Sequence, residues 1–157
     1  MAVQTVHIQG LEDILRTLNS LPSEVVSRRG GPVRVALRKA AVVVQKEYQA
    51  NIERIAVEGE SNESTGTLKK AAIVSRKKPG NFKGERFWLR IKRGAKNPDG
   101  VTANTYGGVL EFGDKRIPAK APMRRAWEVK KGEALNTFMR EMPKAIAAAV
   151  KRARKGK

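Results

Sequence analysis

Cysteine is absent from this chain, and histidine occurs once, as His7. The absence of cysteine excludes disulfides and thiolate metal sites, and a single histidine excludes a histidine-cluster metal site and a Ser-His-Asp triad. No dinucleotide or phosphate-loop glycine motif occurs, and the acidic residues are scattered, with Glu58, Glu60 and Glu63 in a polar segment. We therefore expect no catalytic, cofactor or metal site and no enzymatic activity, unless folding brings two carboxylates together.

Long hydrophobic runs are also missing. No stretch approaches the roughly 18 apolar residues of a transmembrane helix, so we expect no membrane partner. The first ten residues lack a basic region followed by an apolar one, so we expect no signal peptide and assembly in the cytoplasm. A chain of 157 residues fits a single domain. We expect mobile loops near 57–66 and 94–104, where the sequence is polar or rich in turn residues.

Acidic residues are outnumbered by basic ones. The chain has 33 Lys and Arg against 15 Asp and Glu, a formal net charge of +18. Residues 69–96 hold eleven basic side chains against one acidic, and residues 123–157 hold eleven against three. Repulsion at this level opposes compaction, so a polyanionic partner is the first hypothesis. The alternative is a solvated surface that promotes solubility.

Apolar residues at helical spacing predict three main helices. A short helix covers residues 11–18, a long one covers 32–55, and a C-terminal one begins near Ala126. Pro143 should kink or divide the last helix, since it cannot donate a main-chain hydrogen bond. The basic tail from about residue 152 should be frayed. The apolar stripe predicted for the C-terminal helix comprises Trp127, Leu135, Phe138, Met139, Met142, Ile146 and Val150.

Partly alternating residues predict short strands at 3–9, 72–77 and 85–92. In the last of these, alternation separates an apolar face from a basic face that contains Trp88. The indole either packs against a neighbouring helix or subunit, or stacks on a partner. The apolar face comprises Phe87, Leu89 and Ile91, and the basic face comprises Arg86, Trp88, Arg90 and Lys92. Together these elements predict an α+β fold, with a small antiparallel or mixed sheet packed against a long N-terminal helix and a C-terminal helix.

The stretch YGGVLEFGDKRIPAKAPMRRAW, residues 106–127, is too apolar for a mobile loop and too rich in Gly and Pro for one regular element. We name residues 106–122 the elbow. Its apolar side chains should anchor a turn against the sheet, and its glycine should adopt a backbone conformation closed to most residues. Its prolines should stiffen the approach to the last helix, aiming that helix at the core or at a neighbour. The predicted elbow residues are Tyr106, Leu110, Glu111, Phe112, Gly113, Pro118 and Pro122. Glu111 either pairs with a basic group across a subunit boundary or is simply surface-exposed.

Four motifs occur in order along nearly the whole chain: GLEDILRTLNSLP, the basic helix VRVALRKAAVVVQKEYQANI, STGTLKKAAIVSRK, and the elbow stretch. In this order the chain resembles the tail-completion, or head–tail joining, proteins of long-tailed bacteriophages, the group that includes minor tail protein Z of lambda-like phages. The most specific part is Tyr-x-x-x-Leu-Glu-Phe-Gly followed by Pro-Ala-x-x-Pro-Met-Arg-x-Ala. Two features depart from the family pattern: Gly30-Gly31-Pro32 interrupts a helix expected to be continuous, and Met123 stands where Phe is frequent.

The resemblance implies a structural component of the virion rather than an enzyme. Such proteins form a ring, expected to hold six copies, at the neck where the filled capsid meets the tail. The implied partners are other copies of the chain, neighbouring neck and tail-terminator proteins, and the double-stranded DNA that passes through the channel. No cofactor is implied, and assembly takes place in the host cytoplasm.

A ring around duplex DNA needs a basic lining that contacts phosphates without recognising sequence. This lining comes either from the last helix or from a set near the predicted strands, namely Lys77, Lys78, Arg90, Lys92 and Arg93. Two other functions remain open. One is general, sequence-nonspecific nucleic-acid binding, favoured by Phe87 and Trp88 on a basic strand. The other is an assembly protein whose charge faces an acidic protein partner.

Overall fold

The computed structural model describes residues 11–20, 31–58, 66–77 and 85–155. The predicted α+β fold is confirmed, with a two-stranded antiparallel sheet, a long helix and a C-terminal helix. The predicted strand at 3–9 lies outside the described residues. The helices are α1 (Leu11–Ser20), α2 (Pro32–Glu58), α3 (Thr67–Ala71), α4 (Ala103–Phe112) and α5 (Pro122–Lys155), and the strands are β1 (Ala72–Lys77) and β2 (Arg86–Ile91).

Helices α2 and α5 pack side by side in opposite directions and form the centre of the fold. At one end, Ala36 shares a buried cluster with Met142, and at the other Tyr48 shares one with Ala126. The buried stripe of α2 recurs every four residues, which places it on one side of the helix. It comprises Ala36, Ala40, Val44, Tyr48 and Ile52. The long helix predicted over 32–55 is therefore confirmed, and it continues to Glu58.

Polar contacts from Asn51 and Lys39 connect α2 to α5. The Nδ2 of Asn51 donates to the carbonyl oxygen of Pro122 at 3.0 Å. The Nζ of Lys39 lies 2.5 Å from Oε2 of Glu141, and the Nζ of Lys144 lies 3.3 Å from Oε1 of the same carboxylate. These hydrogen bonds, the one from Lys39 first, lower the pKa of Glu141 to about 2. The Glu141 carboxylate therefore stays ionised well below the usual range and holds the two helices together.

The sheet lies against the C-terminal half of α2. Ala72 of β1 pairs with Ile91 of β2, and Leu89 and Ile91 pack against the core cluster around Tyr48. The side-chain amides of Gln45 and Gln49 donate to the carbonyl oxygen of Ala72 at 2.7 and 3.4 Å. The predicted apolar face of β2 is thus turned toward α2. The side-chain amides of Gln45 and Gln49 hold the first residue of β1 against that helix.

Helix α4 occupies a segment for which a loop and then a turn were predicted. The hydroxyl of Thr102 accepts the main-chain N–H of Thr105 at 3.2 Å, which caps the start of the helix. A Cβ on Gly107 would stand 2.2 Å from Cδ1 of Ile91, so glycine allows α4 to approach β2 closely. The buried residues of α4 do recur at helical spacing, but glycine and glutamate occupy two of the four positions. They are Ala103, Gly107, Leu110 and Glu111.

Helix α5 is longer and more continuous than predicted. It has 34 residues, begins at Pro122 rather than near Ala126, and extends to Lys155. Pro143 lies inside it without dividing it. Met142 is fully buried as expected. Trp127 is 53% exposed, so its predicted place in the apolar stripe is wrong. The neighbouring position Ala126 is fully buried instead, in the core cluster that contains Tyr48 of α2.

Candidate nucleic-acid interface and elbow

The face of the sheet opposite α2 is cationic. Its six positions alternate with the inward-facing ones, as the pleat requires. The register places Lys77 opposite Arg86, and Trp88 opposite Ser75. None of these positions is acidic, so this surface presents three cations around one indole. The sheet face, as we name it, comprises Ile73, Ser75, Lys77, Arg86, Trp88 and Arg90.

Trp88 is 47% exposed at the middle of the sheet face. The Nζ of Lys77 lies 4.1 Å from the centroid of its ring, a cation–π contact between adjacent strands. Nearby, the Nε of Arg90 donates to the hydroxyl of Ser75 at 2.8 Å. The ring contact of Trp88 within the described residues is thus with a lysine of β1. The remaining half of the indole is open to solvent and available to a partner.

The predicted DNA-facing set is only partly brought together. Lys77 and Arg90 lie on the sheet face, and Lys92 and Arg93 are exposed in the segment that follows β2. Lys78 lies outside the described residues. The predicted set does not include Arg86, which lies on the sheet face, although the alternation along β2 places it on the same side as Trp88 and Arg90.

One cation of β1 is neutralised by a carboxylate. Arg76 occupies the opposite face from Lys77, and its Nε and Nη2 reach the two carboxylate oxygens of Glu85 at 2.7 and 2.5 Å. This hydrogen-bonded pair raises the pKa of Arg76. The carboxylate that pairs with Arg76 therefore lies at the face of the ribbon that is turned away from Lys77.

The elbow reverses the chain between α4 and α5. Gly113 ends α4 with φ 76°, in the region that favours glycine. A Cβ there would stand 2.8 Å from the main-chain nitrogen of Ala119 and 2.9 Å from the carbonyl oxygen of Ile117. The predicted conformational role of Gly113 is confirmed. Beyond it, the N–H groups of Lys120 and Ala121 both donate to the carbonyl oxygen of Leu110, at 2.9 and 3.0 Å.

Glu111 is buried, at 8% exposure, and caps the N-terminus of α5. Its Oε2 accepts the main-chain N–H of Met123 at 2.8 Å. Its Oε1 accepts the main-chain N–H of Arg124 at 3.2 Å and the side-chain Nε of Arg124 at 3.0 Å. Pro122, in the first turn, has no N–H to satisfy. Of the two alternatives for Glu111, surface exposure is excluded by its burial, and the cation it pairs with here, Arg124, belongs to the same chain. The reason is that unpaired N–H groups and the helix dipole favour a carboxylate there.

Two buried polar side chains of α2, Tyr48 and Asn51, lie near this cap. Tyr48 is 1% exposed. Burial raises the pKa of Tyr48 to about 12, and the carboxylate of Glu111 adds to the effect. Asn51 bonds to Pro122 through Nδ2 and accepts a hydrogen bond from Arg54 at 2.7 Å through Oδ1. Side chains from α2 and α4 therefore both converge on the first turn of α5 and fix where that helix begins.

The elbow also carries exposed aromatic side chains. Phe112 is 75% exposed, and the Cζ of Arg124 lies 5.7 Å from the centroid of its ring. Trp127 follows Arg124 by about one helical turn, so it projects from the same side of α5. We name Phe112, Arg124 and Trp127 the elbow patch. Exposed aromatics beside an arginine are typical of the centres of protein interfaces.

The anchoring role predicted for the elbow side chains is only partly correct. Leu110 and Pro122 are buried, as a packed bend requires. Tyr106 and Phe112 are exposed, because α4 turns those positions away from the sheet, and Pro118 is exposed in the connecting loop. The bend is held by one leucine, one proline and the carboxylate of Glu111 rather than by its aromatic rings.

Among residues 11–20, 31–58, 66–77 and 85–155, no group of three or more His, Cys, Asp or Glu side chains is placed to hold a metal ion. Over the same ranges, no helix combines the length and apolar character needed to cross a bilayer. No protein-family model, curated protein or solved structure matches this chain. The sheet face and the elbow patch are therefore the features on which a functional proposal can rest.

Proposed function

We propose that this chain is a structural subunit of a bacteriophage neck, a tail-completion protein that joins the tail to the head. In this proposal about six copies form a ring around the DNA channel of the virion, next to other neck and tail-terminator proteins. The observation that carries the proposal is that two unlike surfaces lie on separate elements. One is the cationic sheet face, and the other is the aromatic elbow patch.

A cyclic ring needs two different, complementary patches on each subunit, because its contacts are heterologous. The elbow patch suits one of them, since the Glu111 cap holds the start of α5 in a fixed direction. Phe112 and Trp127 then offer apolar surface whose burial by a partner costs little backbone entropy, because the backbone that carries them is already ordered. A neighbouring copy would bury these two rings.

The sheet face suits contact with DNA in transit. Lys77, Arg86 and Arg90 supply positive charge on one side of a short ribbon. Such groups bind phosphates without recognising base sequence. A channel needs contacts of this kind, because every sequence of the genome passes through it. Contacts of this kind also exchange readily, because each one is weak and screened by salt.

The test is complementation of phage particles assembled without the chain. Electron microscopy should show unattached or defective tails, and supplying the unaltered chain should restore joined, infectious particles. The double variant Phe112→Ser/Trp127→Ser should fail to restore them. Val35→Ser, which alters another exposed apolar residue on α2, should restore them fully. Joined, infectious particles in the absence of the chain would end the proposal.

A second candidate function is general, sequence-nonspecific nucleic-acid binding, favoured by the half-exposed indole of Trp88 among cations. Aromatic side chains stack on bases with little sequence preference. If the isolated chain binds a short duplex and loses ~10³-fold or more in affinity between 50 and 200 mM salt, this candidate is favoured. Duplex binding that emerges only on assembly with neck partners favours the ring.

A further inference from the structure

The last turns of α5 form a second basic region, distinct from the sheet face. From Met142 to Lys155 the helix contains no acidic residue. Lys144 is paired with Glu141, whereas the later cations form no ion pair within the described part of the chain. The basic side chains of this region, all exposed, are Lys144, Lys151, Arg152, Arg154 and Lys155.

Three of these cations share one side of the helix. At about 100° per residue, Lys144, Lys151 and Lys155 project within roughly 40° of one another and span about 16 Å along the axis. Between them stand only exposed alanines, Ala147 and Ala148. We name Lys144, Lys151 and Lys155 the terminal face.

The apolar side of the same helix segment is already used in packing. Met142 and Ile146 are buried in a cluster with Ile14 of α1 and Ala36 of α2. Helices that lie in a membrane surface need a free apolar side to enter the lipid, so the terminal face does not suit a bilayer. Contacts with another protein usually centre on buried aromatic anchors. The terminal face offers only alanine between its cations, so it does not suit a protein partner either.

The terminal face is also far from the sheet face. Gln45 of α2 contacts the sheet, and Lys39 of α2 pairs with Glu141 of α5. The rise per residue along these helices places Lys151 about 25 Å beyond the sheet contact. A single chain thus carries two separate cationic surfaces, one at each end of the helix pair.

We infer that the terminal face is a second contact for duplex DNA and binds the phosphate backbone. Evenly exposed cations separated by small side chains allow close approach to a charged rod, and the attraction needs no apolar anchor. The inference rests on the proposed function for the identity of the polyanion, but it concerns the single chain and does not require a ring. The terminal helix and the sheet face, which the sequence left as alternatives, both contact DNA.

The test is the salt dependence of duplex binding by the full chain, measured by fluorescence anisotropy with a ~20-bp duplex between 50 and 200 mM salt. The variant Lys151→Gln/Lys155→Gln removes two charges from the terminal face. Lys46→Gln/Lys115→Gln removes two exposed charges from other elements and is the matched control. The first variant should make the negative slope of log K against log salt shallower by about 1.8, since each lost phosphate contact contributes about 0.9 to its magnitude. The control should change it by well under 1, and circular dichroism should show both variants folded.

Equal slope changes in the two variants would overturn the inference, since they would show a general effect of net charge. An unchanged slope in Lys151→Gln/Lys155→Gln would also overturn it, as would the absence of duplex binding by the unaltered chain at 50 mM salt. The particle experiment fails independently of this one. Infectious particles without the chain, combined with the expected slope change, would remove the neck function and leave the terminal face as a DNA contact.

Discussion

Arg124 bonds to Glu111 at two different places. Its Nε donates to the side-chain Oε1 at 3.0 Å, and its Nη2 donates to the main-chain carbonyl oxygen at 2.7 Å. The same carboxylate also accepts the main-chain N–H groups of Met123 and Arg124. Glu111 of α4 and Arg124 of α5 therefore fix the angle between their helices. Removing either side chain should lower the free energy of unfolding of the whole protein.

Glu111→Ala should lower the free energy of unfolding by about 2–3 kcal/mol, because it removes a helix cap and charge-assisted hydrogen bonds from a buried position. Urea denaturation measures the change. Glu128→Ala is the control, since that carboxylate is exposed on α5, the helix that Glu111 caps, and it should change stability by less than about 0.5 kcal/mol. Similar midpoints for the two variants would contradict the capping role.

Gly113→Ala should destabilise the protein by about 1–3 kcal/mol, because the new Cβ meets main-chain atoms and the backbone has a positive φ. Gly132→Ala should act in the opposite direction. Gly132 lies within α5 with nothing near its missing Cβ, so alanine should raise stability by about 0.5–1 kcal/mol through helix propensity. The comparison uses thermal unfolding of both variants, and a shift in the same direction for both would refute it.

Glu141 should make stability depend on pH in acid. Its pKa is lowered to about 2 in the folded chain, from an ordinary value of 4.5. Its contribution is therefore fully present above about pH 4.5 and is lost as pH falls through about 2. In Glu141→Gln, denaturation midpoints should fall below those of the unaltered chain at neutral pH and converge with them near pH 2. Lys39→Gln should reproduce part of this loss, and curves that stay parallel throughout would show that the pair does not couple to folding.

Trp88 should report contact between the sheet face and DNA. The chain has two tryptophans, so Trp127→Phe leaves Trp88 as the sole indole. Adding duplex DNA should then protect the emission from quenching by acrylamide, because a ligand covers the open half of the ring. The reverse variant, Trp88→Phe, leaves Trp127 on the elbow patch, where no protection is expected. Equal protection in both variants would argue against a specific role for the sheet face.

The main elements were predictable from sequence because their signals are local and periodic. The stripe through Val44, Tyr48 and Ile52 marks α2, and alternation marks the two faces of β2. Each of these patterns arises because one side of the element packs against the core. Arg90 could be assigned to an exposed basic side for the same reason.

The elbow was harder because its determinants are tertiary. Gly107 occupies a buried helical position where a Cβ would stand 2.2 Å from Cδ1 of Ile91, and hydrophobic periodicity misses it because glycine carries no apolar side chain. Glu111 caps a helix that begins eleven residues later, and no local rule connects the two. Helical spacing placed Trp127 in the apolar stripe, but the buried position at the start of α5 is Ala126, and no local pattern shows which of two adjacent apolar residues faces the core.

The length of α5 has a mechanical consequence. A helix of 34 residues extends about 51 Å, with the elbow patch at its first turns and the terminal face at its last. If a docked neighbour tilts the subunit by about 5° at Phe112 and Trp127, Lys155 is displaced by roughly 4 Å at the far end. The helix thus acts as a lever. How a neighbouring copy docks on the elbow patch would determine how closely the terminal face at the other end approaches DNA.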